Sequence, residues 1–465
     1  MERAADAARA AAEASSSFMG ECGEKTGVES RRYLANHTAS PARSTSPLVS
    51  RARPRHHRPA MPKFPLLCVM MFLQFFVWGS WYVTAGTFVP EMGWEQSTTG
   101  WVYSAGPIAA MISPLFLGLI ADRFFASQRV LAIMHLLGGV TMLVLIPGSI
   151  ETKDAAAFEW YVLVYMLCYM PTLGLSNTVA FTHIEHPERQ FPIARVFGTL
   201  GWIAAVTLVS KGLDGDKDPI MFTIAGYSSI AMAVLSWILP RTPPPLAGKQ
   251  VSVSETLGLG ALELMKRPAF VVFLLCSFLI CIPLAGYYSF GNQFAGTVWE
   301  DPGFYTAFGQ WAEVGFMLVM PLCFAKLGVK KMLAIGMAAW VVRYGLWSFG
   351  AGAEPVAWMV LGGILLHGIC YDFFFVTGQI YVDRQARPEI RGQAQSFLVI
   401  MTQGLGMYLG AQIMTGIVVD NTTGEGASTV VDWGQIWWLP CLGALAILVV
   451  FVLLFRERKP EPAAV

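Results

Sequence analysis

The stretch PLFLGLIADRFFASQRVLAI (Pro114–Ile133) returns in shortened form as PLCFAKLGVKKMLAI (Pro321–Ile335). Each closes one apolar run, passes through a short basic turn and enters the next apolar run. The first turn carries Arg123 and Arg129, the second Lys326, Lys330 and Lys331. A duplicated hairpin of this kind predicts two related halves, each made of apolar spans joined by short loops.

Reading outward from the repeat, twelve candidate spans follow Met61. The first six are Phe64–Val89, Thr98–Ala121, Val130–Ile150, Phe158–Thr182, Ala194–Ser210 and Pro219–Leu239. The second six are Pro268–Ala295, Phe304–Ala325, Lys331–Gly350, Pro355–Val382, Gly392–Val419 and Trp433–Phe455. About 20 apolar residues cross a bilayer, so each is long enough, the fifth only just. Many contain Gly or Pro, which membrane helices tolerate where neighbours re-satisfy the backbone. The expected fold is an all-α polytopic membrane protein of twelve transmembrane helices in two six-helix halves, residues 61–239 and 268–458. A connection at 240–267, containing PRTPPPLAGK, divides them, and 459–465 form a short tail.

Composition agrees. The chain has 465 residues, 55% hydrophobic and only 14% charged, with a mean hydropathy of +0.52. Soluble domains are about a quarter charged. An ordinary soluble enzyme is excluded, as is a nucleic-acid binder built on a basic face; the bilayer is the partner that composition implies. The net charge of +1 is uninformative, but its placement is not. One set of loops and span ends holds eighteen Lys and Arg, whereas the alternate set holds only Lys153, Lys211 and Lys217. By the positive-inside rule both chain ends are cytoplasmic. Cys68, Cys168, Cys276, Cys281, Cys323, Cys370 and Cys441 sit in apolar runs without any C-x-x-C, and read as small buried hydrophobes. No metal or cofactor is expected.

Residues 1–60 differ from everything that follows. They lack the apolar core of a secretory signal, and their polarity predicts disorder. Either Met61 is the true start, or the stretch ending RARPRHHRPA is a basic tail that touches anionic lipid.

Ionisable groups inside spans cost roughly 2.5–3.5 kcal/mol each on insertion scales, so they are paired or functional. They are Glu313 in span eight, Arg343 in span nine and Asp372 in span ten, with Arg195 opening span five and His135 and His367 deep in spans three and ten. Asp372, in HGICYDFFFVTG, stands among aromatics, a setting suited to a group that takes up and releases a proton; the alternative is a fixed salt bridge to Arg343. Glu313 follows Gln310 by three residues and shares its helix face, which suits either a polar ligand or a structural interhelical pair. Arg195, Thr199 and Trp202 form a polar and aromatic stripe on span five, and Gln74, Trp78 and Trp81 another on span one. Such stripes serve packing or a cavity that stacks on a flat ring. His367 and Tyr371, four apart, line the same cavity or belong to the core; His135 reads as core.

No G-x-x-x-x-G-K-[ST] occurs, which excludes ATP-driven transport. An intramembrane aspartyl protease would need a second aspartate after G-x-G, where Met407 stands after Gly404-Leu405-Gly406. The chain is not expected to be an enzyme.

Two halves related by an axis along the membrane normal are the major-facilitator architecture. Gly118, Asp122 and Arg123 resemble that superfamily's short loop motif between its second and third helices. FLQFFVWGSW (Phe72–Trp81), YMPTLGLSNT (Tyr169–Thr178), RVFGTLGW (Arg195–Trp202), FGN (Phe290–Asn292), QWAE (Gln310–Glu313), AWVVRYGLWSFG (Ala339–Gly350) and YDFF (Tyr371–Phe374) follow in order. Together they resemble the bacterial nucleoside permeases, the nucleoside:proton symporters of the major facilitator superfamily, from about Met61 to Arg458.

The resemblance implies uptake of a small-molecule nucleoside with protons by alternating access, in a monomer of the cell inner membrane. It places Arg195 and Thr199 at the family's span-five arginine and threonine, with Trp202 where phenylalanine is usual. Gln310 and Glu313 stand at its span-eight amide and carboxylate. Asp372 stands at the aspartate the family needs for transport, with Tyr371 for the preceding phenylalanine. The family's two span-seven amides fall on Ala285 and Tyr288, and its tyrosine four residues before Tyr371 is His367. The expected coupling groups are Asp372 and Glu313. The expected substrate residues are Arg195, Thr199, Trp202, Tyr288, Gln310, Glu313, His367, Tyr371, Gln74 and Trp78. A proton-coupled or facilitative carrier of a sugar or other small polar solute is the alternative, and a non-transporting sensor on the same fold a further one.

Overall fold

A computed structural model describes residues 63–116, 122–244, 252–424 and 429–456. The expected tail 1–60, Gly118 and the Asp122 side chain of the loop motif, part of the 240–267 connection and the tail 459–465 lie outside the described residues.

The described chain is helical almost throughout, as a lipid environment requires of backbone that has no water to bond. Its principal helices are α1 (Lys63–Gly79), α2 (Ala85–Glu91), α3 (Gln96–Phe116), α4 (Ser127–Glu151), α5 (Ala155–His183), α6 (Arg189–Gly212), α7 (Ile220–Ile238), α8 (Pro268–Ala295), α9 (Pro302–Gly350), α10 (Ala357–Gln385), α11 (Pro388–Asp420) and α12 (Trp433–Leu454). Among the described residues, nine helices are long and apolar enough to cross a membrane. A two-residue antiparallel pairing of Thr422–Thr423 with Val430–Val431 joins α11 to α12. The chain is a multi-pass membrane protein, turned inside out relative to a soluble one. Leu318 is 77% exposed and Phe349 72%, while Arg343 and Asp372 are wholly buried.

Three differences from the sequence expectation have local causes. The run Phe64–Val89 is not one helix but α1 and α2 with a turn between. The freed backbone is bonded by Tyr103 of α3, whose hydroxyl donates to Tyr82 O at 2.6 Å and accepts from Gly86 N–H at 3.2 Å. Spans eight and nine run together as α9 with a break at Gly328, where φ is +70°, a conformation glycine adopts without a Cβ penalty. The fifth span is longer than expected at both ends, the helix already running at Arg189 and closing in a π-helical turn at Leu208–Gly212. Similar π turns interrupt α4 at Thr141–Leu145, α10 at Asp372–Val376 and α11 at Ile400–Gly406. The described cysteines are all free.

Candidate functional site

Where α1, α4 and α5 meet, Gln74 is completely buried. Its Nε2 donates to Thr172 Oγ1 at 2.7 Å, its Oε1 lies 3.1 Å from His135 Nε2, and its carbonyl accepts from Tyr169 OH at 2.6 Å. His135 Nδ1 lies 3.0 Å from Ser229 Oγ on α7. Both ends of the Gln74 amide are therefore taken up inside the protein.

Above this knot stands an aromatic wall. The Trp78 ring lies 5.2 Å from Tyr82, 5.6 Å from Tyr169 and 5.2 Å, edge-on, from Trp202 of α6. Tyr82 reaches Tyr288 of α8 at 5.9 Å. The wall borders a narrow cleft lined by Val83, Trp202, Tyr287, Tyr288, Asn292, Thr306 and Gln310. One part of the chain thus supplies Val83 and Trp202, and the other the polar groups. Arg195 is exposed, with its guanidinium 4.2 Å from the Phe75 ring centroid, and Thr199 sits half-buried one turn further along α6.

Across from Arg195, and within its electrostatic reach, is Glu313. Its carboxylate lies 4.0 Å from His367 Nε2. The His367 imidazole stacks on Tyr287 at 4.8 Å and 15°, and its Nδ1 has no hydrogen-bond partner among the described residues. Tyr371 is tilted against His367 at 5.9 Å. Beneath Tyr287 lies Arg343, its guanidinium 4.2 Å from that ring and 4.9 Å from Trp340, with Nε donating to Gly363 O at 2.9 Å.

Asp372 opens the π turn of α10, a distortion that recurs at functional sites. It is wholly buried, and neither carboxylate oxygen has a hydrogen-bond partner among the described residues. The fixed Arg343–Asp372 bridge is not made. Asp372 instead senses the charge of Glu313. Two carboxyls, Glu313 and the unpartnered Asp372, thus stand near each other beside a ring-lined cleft.

Residues 63–460 match the family described as Nucleoside H+ symporter. The chain belongs to the nucleoside H+ symporter family. YegT of Escherichia coli (strain K12) is 35% identical over 410 residues, covering 86% of this chain and 95% of that one. The xanthosine permease of the same organism is 32% identical over 413 residues, covering 85% and 96%. The crystal structure of the nucleoside transporter NupG superposes with a TM-score of 0.77 at 26% identity, covering 86% of this chain and all of that one. Members of the nucleoside H+ symporter family are transporters, so the chain is not an enzyme.

Within this family frame, the geometry sorts the expected residues. Trp202, Tyr288 and Gln310 line the cleft, and Glu313, His367 and Tyr371 form the adjoining cluster. Trp78 packs behind Trp202, and Gln74 is bound into the α1–α4–α5 knot. Arg123 lies outside the site, its guanidinium 5.2 Å from the Phe124 ring. Tyr287, Asn292 and Thr306 line the cleft without having been singled out from the sequence. Asn292 stood in the FGN motif, and Tyr287 adjoins Tyr288; helical spacing alone does not say which of two neighbouring tyrosines faces inward.

Proposed function

We propose that this nucleoside H+ symporter takes up nucleosides into the cell across the inner membrane. It works as a twelve-span monomer in two six-helix halves, with both chain ends cytoplasmic. The helices support that count: α1 with α2 makes span one, and α9, divided at Gly328, makes spans eight and nine. Polar contacts between the halves gather at one end, where Asn292 Nδ2 donates to Thr87 Oγ1 at 2.8 Å and Lys211 pairs with Asp301 at 2.6 Å. That pattern fits a carrier closed towards the outside.

The observation that carries the reading is the orphaned, wholly buried Asp372. As an anion with no partner it is expensive in a dry interior, whereas the neutral acid is tolerated. The carrier therefore rearranges with a proton on Asp372, Glu313 being the second coupling group. An inward potential drives the cycle, since each charge crossing 100 mV releases roughly 2.3 kcal/mol. The base of the nucleoside stacks on Trp202 and Tyr288 with Tyr371 and Trp78 behind, while Gln310, Glu313, His367, Arg195 and Thr199 take its polar groups. Gln74 acts by holding α1 in place.

The test is uptake of radiolabelled uridine and adenosine in cells lacking their own nucleoside carriers, with and without a protonophore. Protonophore-sensitive accumulation supports symport. Good expression with no uptake of either overturns the nucleoside assignment. Sugars are then tried next, because Ala285 and Tyr288 stand where the family carries amides.

A further inference from the structure

The end of the bundle that the charge distribution places outside holds a buried carboxyl that the cycle above does not use. Asp216 lies in the turn between α6 and α7 and is 4% exposed. Its Oδ2 accepts from the Ser210 hydroxyl at 2.5 Å and, more weakly, from Gly303 N–H at 3.4 Å. Ser210 Oγ in turn accepts from Phe304 N–H at 2.9 Å. Ser210 and Asp216 belong to the first half, Gly303 and Phe304 to the start of α9 in the second. The seam is tight: a Cβ on Gly303 would meet Asp216 Oδ1 at 2.6 Å and Ser210 Cβ at 2.9 Å. Only glycine permits that approach.

We infer that Asp216 is a second proton-binding site, separate from the coupling groups, whose loading by an external proton holds the outer seam of the carrier shut. The inference rests on the alternating-access part of the proposed function and not on its substrate. The charged groups around Asp216 do not neutralise it. On its own turn, Lys211 is engaged by Asp301 at 2.6 Å and Lys217 by Glu91 of α2 at 3.5 Å. Asp214 and Asp218 flank it in sequence, and Asp301 acts on it from the α8–α9 connection. Asn292 of α8, bonded to Thr87 and Thr306, does not titrate. Burial pushes the Asp216 carboxyl up to about 6, aided by Asp301 and against the bonds from Ser210 and Gly303.

When the seam parts, water reaches the carboxyl and it returns towards the ordinary value of about 3.9. The closed form therefore binds the proton more tightly than the open one. Acid stabilises closure, fully so below the ordinary carboxyl range, and that stabilisation is lost as pH rises through about 6. An external proton thus favours closing the outer face and slows its reopening.

The test uses the full chain in nanodiscs, with spin labels at Leu213→Cys and Thr297→Cys, exposed positions on the two sides of the seam. Electron–electron distances are measured from pH 4.5 to 7.5 without substrate. The closed-to-open ratio is expected to fall about tenfold per pH unit and to level off above about 6. Asp216→Asn should abolish this limb. Ser210→Ala, which removes a bond favouring the ionised form, should move the levelling point upward. Asp372→Asn should leave it in place. Wild-type behaviour in Asp216→Asn, or loss of the limb in Asp372→Asn, overturns the inference. If Asp216→Asn does not fold, an unmoved levelling point in Ser210→Ala overturns it instead. Absence of nucleoside uptake with an intact pH-dependent distance counts against the substrate and leaves the seam standing.

Discussion

Arg343 of α9 and Asp372 of α10 are both wholly buried on successive stretches of the chain, and they do not pair. Arg343 is held by Gly363 O and by the faces of Tyr287 and Trp340. Asp372 is left to the field of Glu313. A carboxyl bound to a fixed cation would keep its charge through the cycle; one without a partner has its charge set by a proton.

Replacing Asp372 by Asn should therefore abolish protonophore-sensitive accumulation of uridine, by at least about tenfold, or ~1.4 kcal/mol. Exchange of labelled for unlabelled substrate across the membrane should persist, because binding and rearrangement need only the neutral group. Loss of exchange as well as accumulation in a well-expressed variant would mean that Asp372 binds substrate.

His367 offers Nε2 towards Glu313 while its ring stacks on Tyr287. His367→Phe keeps the stack and removes the nitrogen. The KM for nucleoside uptake is expected to rise about tenfold, as for the loss of one hydrogen bond to substrate, with a smaller change in maximal rate. An unchanged KM would make His367 a packing residue.

Arg343→Lys preserves the charge but not the planar group lying over two rings. Loss of stacking should destabilise the protein by about 1–2 kcal/mol, read as a lower Tm in detergent. The same Tm for both proteins would show that the rings contribute nothing to holding the cation.

Gln74 and His135 share one buried network with Thr172 and Ser229. A double-mutant cycle of Gln74→Leu and His135→Phe should give a coupling of about 1–3 kcal/mol in unfolding free energy. Nucleoside KM should move little in either single variant. A large KM effect with no coupling would return Gln74 to the substrate site.

Much of this molecule follows from the sequence alone. Apolar runs long enough for a bilayer, separated by loops of alternating charge, leave helices as the only way to satisfy the backbone. Buried ionisable groups stand out there because so few exist, which is why Glu313, Arg343, His367 and Asp372 were legible beforehand. Spacing along a helix gives a face but not what that face meets. Only packing decided that Gln74 turns into a closed knot with His135, that Arg343 lies over Tyr287 instead of reaching Asp372, and that Tyr287 and Asn292 join the cleft. Asp216 is the clearest case. In sequence it is one acid in a polar loop, GLDGDKDP; it is buried because α9, from the other end of the chain, closes over it. Hydropathy is a local property and fixes which segments enter the membrane. Partners come from contacts between segments far apart in the chain, and those exist only once the helices have packed.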